Sequence, residues 1–175
     1  MKKFNLKHLC VSSLLVAMQV VLSRFASFQS TGMRISFGFI PIMMAALLFG
    51  PSVSGSVAII ADAIGALIWP TGAYHPGIAL TALLTGIIYG LFLKDTTLDS
   101  IKFWIFALIA IMINNLGLGL FVNSLWLSQL YGSKTYWGWV TTRFISEYTI
   151  MVPLQIAFLP YLKIICKRVK KAIKL

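Results

Sequence analysis

Acidic residues are the scarcest chemistry in this chain. Four Asp and Glu stand against fifteen Lys and Arg in 175 residues, a net charge of +11. Charged residues of either sign make up 11%, where a soluble domain carries about 25%. So little charge cannot coat a water-facing surface, which excludes an ordinary soluble fold. A nucleic-acid partner is excluded as well, because its binder spreads basic charge over a solvated face, whereas here the charges clump between apolar runs. There is no GxxxxGK[ST] phosphate loop and no HExxH, so neither ATP hydrolysis by the first route nor zinc hydrolysis by the second is available. With two histidines and two cysteines, no Ser/His/Asp set and no metal site can be assembled. Nothing in the chain reads as an enzyme or as the holder of a cofactor.

What is present is apolar: 59% of the residues are hydrophobic or aromatic. Residues 35–61, 63–93 and 103–133 carry no formal charge. Each is too long for a single buried helix, and a membrane span needs roughly 20 apolar residues. Cutting at Gly, Pro and charge clusters predicts a single domain over 1–175, an all-α bundle of six transmembrane helices. The spans run about 6–28, 35–49, 52–69, 77–93, 103–122 and 139–162, followed by a basic tail over 163–175. The second is short, so tilt, local thinning or burial is expected. Pro41 inside it is expected to kink or unwind it, and Gly50-Pro51 to turn tightly into the third. The first span is too long for a signal-peptide core and reads as retained.

An even number of spans puts both termini on one side. Eleven basic residues fall there: Lys2, Lys3, Lys7, Lys94, Lys102, Lys163, Lys167, Arg168, Lys170, Lys171 and Lys174. Arg24, Arg34, Lys134 and Arg143 fall opposite. The positive-inside rule places both termini in the cytoplasm of a cell-membrane protein. The basic tail is suited to anionic lipid headgroups. Cys10 and Cys166 then lie near the reducing face, where no disulfide is expected.

The outer half collects Arg24, Arg34, Trp69, Tyr74, His75, Asn123, Trp126, Trp139 and Arg143, with Asp62, Asn114, Asn115 and Glu147 deeper. This asymmetry points to a small-molecule cavity open to the outside. Aromatic faces stack on a flat ring, Asp, Asn and Glu meet an edge of mixed donors and acceptors, and Arg forks a carboxylate. A flat heterocycle with a carboxylate tail satisfies all three. Plainer readings stand beside this one. The Trp residues fit an interfacial belt, Arg24 can snorkel, and His75 can be an ordinary loop residue. Arg143 and Glu147 can pair along one helix. Asp62, an acid inside a span, is a functional candidate by default whose plain reading is a structural pair with an Arg. Ser13-x-x-x-Ala17, Ala61-x-x-x-Gly65 and Gly86-x-x-x-Gly90 permit close helix approach.

The ordered segments R-I-S-F-G-F-I-P-I (34–42), L-F-G-P (48–51), D-A-I-G (62–65), P-T-G-A-Y-H-P-G (70–77), G-I-I-Y-G (86–90), N-S-L-W-L (123–127), L-Y-G (130–132) and R-F-I-S-E (143–147), with Pro153, resemble the substrate-binding S component of energy-coupling-factor (ECF) vitamin transporters, of the folate type. The resemblance implies a six-helix fold that captures the vitamin near the outer face. It implies docking on a membrane coupling subunit driven by two cytoplasmic ATPases, with release by toppling in the membrane. It maps the docking motif of the first span to Ser13 and Ala17. It implies that Asp62 or Asn115 reads the pterin edge, that Trp69, Tyr74 and Trp139 enclose the ring, and that Arg24, Arg34 or Arg143 holds the glutamate tail. His75, Asn123 and Glu147 stand in the same matching segments and complete the candidate contacts. The first and third connections would act as lids. The alternatives are an S component for another vitamin or precursor, and a stand-alone secondary carrier.

Overall fold

In hydrocarbon the backbone must satisfy its own polar groups, which leaves helices as the means of spanning. The computed structural model describes residues 6–30, 33–70, 75–94, 100–132 and 135–173. Six helices are found there. They are α1 (Leu6–Arg24), α2 (Phe39–Phe49), α3 (Pro51–Ile68), α4 (Pro76–Leu93), and the composite helices α5 and α6. Helix α5 runs through Ile101–Met112, a π-helical stretch Ile113–Val122 and Asn123–Tyr131. Helix α6 runs through Tyr136–Phe144, a π-helical stretch Ile145–Met151 and Val152–Ile173. All but α2 are long and apolar enough to cross a membrane.

Between α1 and α2 lies an antiparallel hairpin of β1 (Ser27–Ser30) and β2 (Met33–Ser36), with Ser27 opposite Ser36 and Gln29 opposite Arg34. This corrects the expected second span, whose first residues are strand and not helix. A four-residue strand is too short for its period-2 pattern to stand out from the apolar run that follows. Pro41 also falls differently from expectation. It is the third residue of α2, in the first turn, where a missing N–H has no intrahelical acceptor to lose. No kink is needed there.

Helix α2 has 11 residues, about 16 Å at 1.5 Å each, against a hydrocarbon core about 30 Å thick. Nine of the 11 are buried, so it is an internal pillar wrapped by longer helices. Gly50 turns the chain at φ 90° and Pro51 opens α3. The Ser54 hydroxyl donates to the Ile42 carbonyl at 3.0 Å and ties α3 back to α2. Helix α4 then lies backbone to backbone on α3. A methyl group at Gly86 would come within 2.5 Å of the Ser54 carbonyl oxygen, and one at Gly90 would run into the Pro51 backbone. The G-x-x-x-G spacing is thus a helix contact within the chain.

Two further boundaries differ from expectation. Asn123–Tyr131 is the last part of α5 and not a connection, and α6 remains helical to Ile173. Leu162 and Cys166 are almost fully buried, so the first turns of the basic segment pack on the bundle.

The α3–α4 contact generates a stability prediction. Gly90→Leu should cost about 1–3 kcal/mol of overpacking, seen as a fall of several degrees in the Tm of the detergent-purified protein. An unchanged Tm would mean that the two helices do not meet at this position.

Candidate functional site

The helices enclose a cavity of about 210 Å3 at the hairpin end of the bundle. Its walls come from α1 (Gln19, Ser23), the hairpin exit (Ser36, Gly38), α3 (Asp62), α4 (Thr81, Thr85, Tyr89), α5 (Asn114, Asn115, Gly119, Asn123) and α6 (Gln155). Gly38 sits at the rim against the Gln19 amide, which a side chain there would have to displace.

One part of the lining is already hydrogen-bonded. The Tyr89 hydroxyl donates to Gln155 Oε1 at 2.9 Å, and Asn115 Nδ2 donates to the same oxygen at 2.9 Å. Gln155 Nε2 returns a bond to Asn115 Oδ1 at 3.3 Å, and Asn115 Nδ2 also donates to the Ile111 carbonyl at 2.8 Å. These three side chains form a rigid floor. A second part is different. Both polar atoms of the Asn114 amide, Asn123 Oδ1 and Gln19 Oε1 are buried with no hydrogen-bond partner among the described residues. An unmet buried group costs about 1–3 kcal/mol, and these four atoms, a mixed donor and acceptor set, belong to residues that line one cavity.

Asp62 adds a carboxylate. Its Oδ1 lies 3.7 Å from an Arg24 terminal nitrogen, and both side chains are largely buried. Gly65, one turn further along α3, leaves room for that guanidinium; a methyl there would sit 2.5 Å from Arg24 Nε. Asp62 therefore lines the cavity and also pairs with an Arg.

The other sequence candidates are distributed as follows. Asn115 and Asn123 line the cavity. Arg143 is buried, and its Nε donates to the Gly119 carbonyl at 3.0 Å. His75 caps α4, its Nδ1 accepting from the Gly77 amide at 3.0 Å, and its ring stacks on Trp126 at 5.2 Å. Trp126 in turn donates to the Thr81 hydroxyl at 3.2 Å. Trp139 is buried near Tyr131. Trp69 is 56% exposed against Phe25. Neither Trp is part of the cavity wall. Arg34 lies on β2 and Glu147 in the second π stretch, their side chains outside the described set, as is Tyr74 altogether. Ser13 and Ala17 are on the outward face of α1, where Leu15 and Ser23 are the buried residues. Sequence reasoning did not select Gln19, Thr81, Tyr89 or Gln155, and placed Asn114 beside Asn115 without giving it a ligand contact. Gln19 and Gln155, amides inside apolar spans, carried a signal that an intramembrane polar group is costly and needs a reason.

The match to a family decides what kind of protein holds this cavity. Residues 7–162 match the family of the ECF transporter, substrate-specific component. The chain belongs to that family. Among curated relatives, the folate transporter FolT of Clostridium novyi (strain NT) is 36% identical over 154 residues, which is 88% of this chain and 85% of the relative. The FolT of Leuconostoc mesenteroides subsp. mesenteroides is 30% identical over 162 residues, 88% of this chain and 83% of the relative. Among solved structures, FolT bound with folic acid superposes with a TM-score of 0.81 at 32% identity, covering 91% of this chain and 93% of that one. The S component for biotin from an ECF-type ABC transporter shares the fold, with a TM-score of 0.68 at 21% identity over 98% and 94% of the two chains. The folate-type resemblance drawn from the motifs and the six-helix membrane bundle both hold. As an S component the chain is a multi-pass membrane protein that serves a transporter and is not in itself an enzyme.

The bonded floor of this S component predicts a stability effect independent of any ligand. Gln155→Leu removes the acceptor shared by the Tyr89 hydroxyl and Asn115 Nδ2 and the donor to Asn115 Oδ1, at about 1–3 kcal/mol for a buried group left unmet, and should lower the Tm of the purified protein. If Tm holds, the floor is not bonded as described.

Proposed function

We propose that this S component captures folate from outside the cell and delivers it when docked on an energy-coupling module. The reading rests most on one observation, the joint presence in a single cavity of the Asp62 carboxylate and the unmet amide atoms of Asn114, Asn123 and Gln19. A pterin edge offers alternating donors and acceptors to such a set. FolT relatives and the folic acid-bound FolT structure support the same ligand. Pockets for drug-sized ligands run about 300–1,000 Å3, so a cavity of about 210 Å3 matches the ring system, with the aminobenzoyl-glutamate tail leaving toward the hairpin. Arg24 faces Asp62 and Arg143 faces the Gly119 carbonyl. Arg34 on the hairpin is therefore the cation assigned to the tail carboxylates. The hairpin is the first of the two expected lids; the other, the α3–α4 connection, lies in residues 71–74, outside the described residues.

Mass spectrometry of the purified protein should find a folate. Asn114→Leu should weaken folate and pteroate, the analogue without glutamate, by tenfold or more, since it removes partners from a buried edge. Arg34→Ala should weaken folate alone. Wild-type protein that binds neither compound would overturn the folate reading and favour another vitamin.

Delivery is assigned to α1. Ser13 and Ala17 put small side chains on its outward face, which allows close approach by a partner helix. The partners in this reading are a membrane coupling subunit and two cytoplasmic ATPases. Toppling turns the cavity inward, and both termini face the cytoplasm of the plasma membrane. Ala17→Trp should leave folate titration in detergent unchanged and abolish ATP-dependent uptake in vesicles holding the full transporter. Undiminished uptake would remove α1 from the docking surface.

A further inference from the structure

Four residues of α5 reach the cavity: Asn114, Asn115, Gly119 and Asn123. The steps from Asn114 to Gly119 and from Gly119 to Asn123 are five and four residues. An α-helix turns about 100° per residue. Nine residues on, Asn123 would then face about 180° away from Asn114, into the opposite side of the bundle. The wider i→i+5 turn of Ile113–Val122 brings the two back to one face. The π register, and not the sequence spacing alone, puts both asparagines on the cavity.

Such a register is rare and is frequently found at functional sites. Among the described residues, two side chains of α6 bond to carbonyls of this stretch from outside the cavity: the Tyr136 hydroxyl reaches Phe121 at its end at 3.5 Å, and Arg143 reaches Gly119 inside it. Arg143, on the first part of α6 and 9% exposed, donates from Nε to the Gly119 carbonyl at 3.0 Å. A charge-assisted bond of this kind is roughly twice as strong as a neutral one. Gly119 lies between Asn114 and Asn123 in the cavity-facing set, so the bond holds the segment between the two amides.

We propose that Arg143 is a positioning residue that fixes the π register of α5, and through it the spacing of Asn114 and Asn123 on the ligand. This assignment rests on the folate reading for its ligands. It differs from a role as a clamp on the carboxylate tail, and the two have opposite signatures.

Folate and pteroate are titrated against wild type, Arg143→Met, Arg143→Gln and Arg143→Lys. Hydrogen exchange of the 113–122 segment is measured without ligand in the same proteins. A positioning role predicts that Arg143→Met weakens both ligands by a similar factor of tenfold or more and speeds exchange in that segment. Gln and Lys still donate to a carbonyl, and should retain most of the affinity for both compounds and most of the protection. Should Arg143→Met fail to fold, the Gln variant decides: retained folate binding without the positive charge supports positioning, and loss of folate alone overturns it. Losses confined to folate in any variant, or unchanged affinity and exchange in Arg143→Met, also overturn it. Wild type that binds neither compound defeats the folate reading, while the exchange measurement still decides whether Arg143 holds the register.

Discussion

The hydrocarbon core of a membrane offers no hydrogen bonds, and this constraint governs the polar side chains within the spans. A polar group on a span either finds a partner inside the bundle or carries its desolvation cost. The chain applies both outcomes within one cavity. Tyr89, Asn115 and Gln155 bond to one another from three helices, which fixes the floor. Asn114, one residue from Asn115, has both polar atoms unmet, as do Asn123 and Gln19 at one atom each. The contrast between adjacent asparagines separates structure from site more clearly than conspicuous residues do. Trp69, by comparison, is large and half-exposed, and lies off the cavity.

A rigid frame is needed for unmet groups to persist, because a soft bundle would relax and pair them. The frame is the α2–α3–α4 unit. Helix α2 is sunk in the core, Ser54 bonds it to α3, and Gly86 and Gly90 let α4 rest on the α3 backbone. Asp62 projects from this frame, and Arg24 approaches it across Gly65 from the end of α1. Opposite charges brought together in low dielectric attract strongly, yet each loses hydration. The pair therefore joins α1 to the frame beside the cavity while presenting a carboxylate to it.

The spans were legible because their signal is compositional. Runs without charge over 35–61, 63–93 and 103–133 force helices whatever their detailed packing. The hairpin was not legible, since Ile35 and Ser36 continue an apolar run and a four-residue strand leaves no period to detect. The Pro41 expectation failed because the helix start was set too early, and a proline three residues into a helix acts differently from one in its middle. Asp62 was found as a cavity residue because an acid inside a span is expensive, and Asn115 and Asn123 through the placing of polar groups by depth and the family resemblance. The same placing reached Asn114 only as a neighbour of Asn115, and Gln19 and Gln155 were left aside because amides draw less notice than charges.

The deeper reason is the period assumed. A face read at 3.6 residues per turn separates Asn114 from Asn123 in α5, although both line the cavity. Residues in a π stretch follow a different period, and nothing in I-N-N-L-G-L-G-L-F-V announces it. Glycines at 117 and 119 weaken the α-helical preference of the stretch, as glycine does in any helix interior. That lowers the cost of widening the turn without dictating it. The register is completed by a residue 24 positions further on, the distance from Gly119 to Arg143. A site whose geometry depends on such a long-range grip is visible only after folding, although each amino acid that builds it stands in the sequence.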